Sequence, residues 1–157
     1  MSTQKASIGD RVVCIYNGGS YRTYDSFFKY YGLENLLPKY EGHPLTEGRV
    51  YAVLYRFKHT SFEDIVLVLE DIWTGKIFLC KDSPRYLYTI HTGNREWSEK
   101  SKARICKIME NYDLTYRFIE GGYLFVDSTV YSNVPRMSTK RLEELLDALE
   151  NDVYWSN

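Results

Sequence analysis

No stretch of this chain approaches the ~20 consecutive apolar residues that a membrane-crossing helix needs. The opening MSTQKASIGD has no apolar core of the kind a signal peptide carries. Cysteine is scarce. Cys14, Cys80 and Cys106 are an odd number with no CxxC among them, and they read as reduced core thiols of a cytosolic protein. His43, His59 and His91 share no metal-ligand spacing, and no cysteine lies at a zinc-site interval. The chain has no P-loop, GxGxxG or nucleophile elbow. Excess charge is missing too: the net charge of −1 argues against a uniformly basic nucleic-acid binder while leaving room for a local patch. The expectation is a cytoplasmic, non-enzymatic protein with no metal, no cofactor and no membrane partner.

What is present is aromatic. Fifteen tyrosines carry most of a 16% aromatic content, and a ring with a polar tip suits half-buried sheet faces, interfaces and base stacking alike. The run Gly48 to Asp82 reads as three strands. Arg49, Tyr51, Val53, Tyr55 and Phe57 fall on one parity. Ile65 to Leu69 is unbroken β-branched and leucine, the pattern of a strand covered on both faces. Ile77 to Cys80 is short and apolar. Gly75 supplies the φ > 0 that a hairpin often needs. With 11–16 before and 85–91 after, the predicted strands are 11–16, 49–58, 63–71, 76–81 and 85–91. Between the first two, Tyr24, Phe27, Phe28 and Tyr31 stand at helical spacing, with Thr23 or Asp25 to cap and Gly32 to end the helix. A further turn, Leu33 to Leu37, should stop before Pro38.

His91-Thr92-Gly93-Asn94 is the best internal boundary. Beyond it Ser98 caps a predicted helix to about Asn111, with Ile105, Ile108, Met109 and Tyr112 as its apolar stripe. Leu114–Glu120 and Tyr123–Asp127 read as a hairpin about a two-residue type I′ turn at Gly121-Gly122. Residues 128–137 read as irregular. Ser138 caps a last helix whose Leu142, Leu145, Leu146, Leu149 and Val153 make one apolar face.

The opening of the first strand, GDRVVCIYNGG, resembles a KOW motif. Gly9, Asp10, Val12, Cys14, Gly18 and Gly19 fit it, and Gly48-Arg49-Val50 supplies its second part. The resemblance implies a small SH3-like barrel, interrupted here by a helical insertion at 20–47. The chain also resembles small early proteins of tailed phages, among them the MotB-type transcription modifiers. That likeness implies DNA binding in the host cytoplasm, in the service of host takeover and altered transcription or nucleoid. The expected fold is therefore α+β: an SH3-like antiparallel β-barrel with its insertion over 1–92, then a helix–β-hairpin–helix segment over 93–157.

Two charge patterns point to nucleic acid, DNA before RNA. Lys100, Arg104 and Lys107 lie at i, i+4, i+7, with Arg95 before them and Lys102 to one side. These five cations face only Glu96 and Glu99, so segment 95–107 is net +3. Such a row suits a phosphate backbone, though it also describes an ordinary solvated helix face. In the insertion, Tyr21, Arg22, Tyr24, Lys29, Tyr30 and Lys39 alternate rings with cations. That mixture suits unpaired bases, whereas Phe27, Phe28 and Tyr31 read as core. Arg22 and Lys29 are its expected contacts. The rival reading is a module that binds and redirects a host protein, since exposed tyrosines are hot-spot material. A third is a two-histidine phosphoesterase. His59-Thr60-Ser61 supplies one H-x-[S/T], but His91-Thr92-Gly93 fails to supply the second.

Overall fold

The computed structural model describes residues 6–21, 25–41, 44–58, 65–91 and 95–155, the side chains of 21, 25, 26 and 152–155 excepted. The chain divides into two compact units, Met1–Ile90 and His91–Asn157.

The first unit is an antiparallel sheet. Its strands are β1 (Arg11–Cys14), β2 (Ser20–Tyr21), β3 (Val50–Lys58), β4 (Ile65–Asp71), β5 (Ile77–Lys81) and β6 (Leu87–Ile90). They pair in the order β2-β5-β4-β3-β1-β6. Five of the six stand where alternation places them; β2 is a two-residue addition. No ladder joins the edges β2 and β6, so the closed barrel expected from the strand count is not found among the described residues. The edges approach through side chains instead. A Cβ on Gly19 would lie 2.5 Å from the ring of Tyr86, a fit only glycine allows.

Both faces of the sheet are covered, which is why β4 is apolar from Ile65 to Leu69. Leu67 and Leu69 join Val12, Cys14, Tyr51, Val53 and Cys80 on one side. Val66 and Val68 join Phe27, Phe28, Leu33, Ile77 and Leu79 on the other. The second layer comes from the insertion. Its helix α1 (Asp25–Tyr30) ends at Gly32, at φ +71°. A 3₁₀ segment, Glu34–Lys39, follows and runs through Pro38 rather than stopping before it.

The single-parity reading of β3 is corrected. The register shifts between Val53 and Tyr55: Val53 faces Leu69, but Tyr55 faces Val68 and Phe57 faces Val66. One extra residue, Leu54, sends Tyr55 and Phe57 to the face opposite Tyr51 and Val53, as a bulge does. Arg56 then points to the first face. There it donates to the Ala6 carbonyl at 2.8 Å and ion-pairs with the buried Asp82 carboxylate.

The second unit packs two helices, α2 (Glu99–Met109) and α3 (Thr139–Trp155), with a sheet ordered β7 (Tyr116–Ile119), β8 (Tyr123–Val126), β9 (Thr129–Tyr131). Ile105, Ile108 and Met109 bury against Leu124, Val126, Val134, Leu142 and Leu146. Val153, expected on that face, lies outside the described side chains.

Two turn expectations are corrected. Ile119 pairs with Tyr123, so the first hairpin loop has three residues rather than two. Gly121 and Gly122 still take positive φ, 82° and 78°, inside that longer loop; a two-residue turn with both φ positive stands at Asp127-Ser128, φ 43° and 70°, and it launches β9 from a segment expected to be irregular. Asp127 holds that turn by accepting from the Thr115 hydroxyl at 2.5 Å.

Candidate nucleic-acid interface

The cation-rich segment is fixed at its start. Before α2, the Trp97 indole N–H donates to the carbonyls of Ile119 and Tyr123, 3.0 Å each, and its ring meets Phe118 edge-on at 4.7 Å. Gly121 N–H donates to Glu96 at 2.7 Å. Gly122 presses on the same segment: a Cβ there would sit 2.2 Å from the Arg95 carbonyl oxygen. At the helix start, Ser98 Oγ accepts from Ser101 N–H, and Ser98 N–H donates back to Ser101 Oγ. This reciprocal cap uses serine where glutamate or glutamine is usual.

Arg95, Lys100 and Arg104 come together with Ser98, Ser101 and Pro135 around an open depression of about 260 Å³. Arg95 and Lys100 are exposed. Arg104 is half-buried and committed: its guanidinium donates to the carbonyls of Met137 (2.9 Å) and Val134 (3.3 Å) and to Thr139 Oγ1 (3.2 Å). It ties α2 to the start of α3. Lys107 is exposed one turn further along α2. Lys102 leaves the row; its ammonium lies 5.9 Å from the centre of the Phe118 ring, worth about 0.5–1 kcal/mol at a partly exposed site. Among the described residues none of the five makes an ion pair with a carboxylate.

One group of acidic residues gathers around Tyr112, beyond the end of α2. Tyr112 donates to Asp147 at 2.7 Å. Partial burial, with Asp147, Glu143 and Glu150 around it, pushes the phenol up to about 12.

Of the other predicted contacts, Lys29 is exposed on α1 in the first unit, and Arg22 lies outside the described residues. Phe27 and Phe28 are core. Tyr21, through its side chain, and Tyr24 also lie outside the description, as do His43 and His59; His91 is exposed. Burial pushes the Cys14 thiol up to about 12, with Glu47 adding to it, and raises Cys80 further. Neither is a thiolate at neutral pH. No group of three or more metal-ligating side chains occurs among the described residues. No helix among them is long and apolar enough to cross a membrane.

Sequence reading missed Ser101 and Pro135 at the depression, and Trp73 entirely. Trp73 is 82% exposed on the β4–β5 turn. Buried Asp71 holds that turn, accepting from the N–H groups of Trp73 (2.8 Å) and Thr74 (3.3 Å) and from Arg49 Nη1 (3.1 Å). An aspartate two residues before an apolar ring, with a glycine two residues after it, was the available signal. No protein-family model matches the chain, and neither a curated protein nor a solved structure matches it.

Proposed function

We propose that this is a non-enzymatic nucleic-acid-binding protein that grips the phosphate backbone with the start and exposed face of α2, duplex DNA being the favoured polymer. The observation that carries the reading is the depression lined by Arg95, Lys100 and Arg104, whose lining holds no carboxylate and whose cations make no ion pair with a described residue. Lys100 and Lys107 are the mobile contacts, Arg95 the fixed entry point and Arg104 a partly committed one. Lys102 contributes field rather than contact. Phosphate gripping carries little sequence information, so binding is weakly selective and steeply salt-dependent. The KOW-type likeness of Gly9, Asp10, Val12 and Cys14, and with it an SH3-like character for the first sheet, supports the same class, as does the likeness to phage transcription modifiers acting in a host cytoplasm. Gel shifts with duplex DNA, single-stranded DNA and RNA at two salt concentrations test it; no shift with any of the three at low salt refutes it.

Trp73 favours a second reading, a module that binds a host protein. The Trp73 backbone is held by Asp71 while its ring stands in solvent, and tryptophan is among the residues most enriched at binding hot spots. A partner that survives nuclease treatment and is lost with Trp73→Ala supports this reading over the first.

A further inference from the structure

The hollow at the start of α2 is built differently from the helix face beside it. Residues 95–104 supply most of its lining, and the 3₁₀ turn Val134–Arg136 supplies Pro135 as a wall. A third segment locks these two together. Val134 N–H donates to the Gly122 carbonyl at 3.0 Å. Gly122 lies so close to both that a Cβ there would stand 2.2 Å from the Arg95 carbonyl oxygen and 3.1 Å from Pro135 Cδ. The lining is therefore set by packing before any ligand arrives. Arg104 is held within it by neutral acceptors: two carbonyls and one hydroxyl orient the guanidinium without cancelling its charge. A half-buried charge with no counter-charge among the described residues is costly, and an anion in the hollow would relieve that cost. Arg95 and Lys100 add two exposed cations to the same lining. The two acids of the segment stay out of it: Glu96 accepts from Gly121 N–H, and Glu99 is not part of the lining. Lys107, exposed on the same helix, also lies outside it.

We infer that this hollow seats a phosphate monoester, the terminal phosphate of a nucleic-acid strand or that of a free mononucleotide. An internal phosphodiester carries a single negative charge on two free oxygens, and the strand leaves it in both directions. A terminal phosphate carries nearly two charges on three oxygens, and the strand leaves it in one direction only. Cations spaced along a helix suit the first. Three cations gathered about one walled hollow suit the second, because several donors can reach one phosphorus centre at once. The volume of about 260 Å³ admits a phosphate with its sugar, and it falls below the ~300–1,000 Å³ typical of sites that enclose larger organic ligands. The inference rests on the nucleic-acid reading and deepens it: the start of α2 takes a strand end, while Lys107 remains for the backbone beyond.

The test uses the full chain and two short DNA duplexes of one sequence, every strand end carrying a phosphate in one and a hydroxyl in the other. Fluorescence anisotropy reads duplex affinity, and calorimetry reads binding of thymidine 5′-monophosphate. The phosphorylated duplex should bind about tenfold tighter, the scale of one added charged hydrogen bond. Arg95→Gln and Lys100→Gln should each remove most of that preference. Both side chains are exposed and make no ion pair with a described residue, so the fold survives their loss. Lys107→Gln should weaken both duplexes alike and keep the preference. Equal duplex affinities, with mononucleotide binding that disappears in Lys100→Gln, support the seat with a free nucleotide as its source. Mononucleotide binding of that kind with neither duplex bound keeps the seat and overturns the backbone grip. Equal duplex affinities without mononucleotide binding overturn the seat and leave the α2 reading standing. Any preference or mononucleotide binding that survives both glutamine variants overturns the seat as well. A wild-type protein that binds none of the three probes overturns both.

Discussion

Lys100 and Lys107 are exposed and make no ion pair among the described residues, whereas Arg104 on the same face is bonded to two carbonyls and a hydroxyl. Charge alone does not distinguish them; their surroundings do. In the double variant Lys100→Gln/Lys107→Gln, two phosphate contacts disappear. Each contributes about 0.9 to the slope of log affinity against log salt on duplex DNA, so the slope should flatten by about 1.8. Over a fourfold rise in salt, the wild type should lose roughly tenfold more affinity than the double variant. Stability should change by no more than about 0.5 kcal/mol, since neither lysine has an ion pair with a described residue to lose. Arg104→Gln should do the reverse. It removes charged hydrogen bonds to the Val134 and Met137 carbonyls, worth about 1.5–3 kcal/mol, toward the lower end because the site is only half-buried. Its effect on the slope should be smaller than that of either lysine. Arg104→Lys should keep the charge but lose the fork, and with it most of the same stability. Denaturant melts and anisotropy titrations at several salt concentrations read both quantities. A double variant with the wild-type slope would remove α2 from the binding surface.

The remaining expectations concern single positions. Gly122→Ala combines a Cβ 2.2 Å from the Arg95 carbonyl with φ +78°. It should destabilise the second unit by about 1–3 kcal/mol in a denaturant melt and weaken DNA binding by displacing Arg95. Tyr51 is buried, and burial chiefly raises its phenol from 10.0 to about 12. The folded state therefore favours the protonated form. Its stabilising effect is complete below the unfolded value near 10 and is lost as pH rises through about 12. Denaturation midpoints should fall across that window, and Tyr51→Phe should shrink the fall at a cost of about 1 kcal/mol for the orphaned Thr46 N–H. Trp73→Ala should leave stability within about 0.5 kcal/mol and gel shifts unchanged, because its ring touches no other ring among the described residues and is almost fully solvated; a loss of DNA binding there would place the interface on the first unit.

Local pattern determined much of this protein. Spacing in the sequence gives α2 with its serine cap and apolar stripe, the leucines of α3 and the five main strands of the first sheet. The unbroken run Ile65–Leu69 announces a strand buried on both faces, and it is one. Such features are legible because helix and strand periods are set by the residues themselves. Tertiary structure decided which side chains meet. Leu54 inserts one residue into the β3–β4 register and inverts the face of Tyr55 and Phe57, although their parity with Tyr51 is unbroken in the sequence. A two-residue turn with both φ positive formed at Asp127-Ser128, where the strands to be joined require it, while the glycine pair, also at positive φ, sits in a three-residue loop. Arg104, one of three like charges on one helical face, was drawn to carbonyls that arrive from thirty and more residues away. In each case a strand partner or a hydrogen-bond acceptor lies far along the chain, and no local period encodes where it will stand.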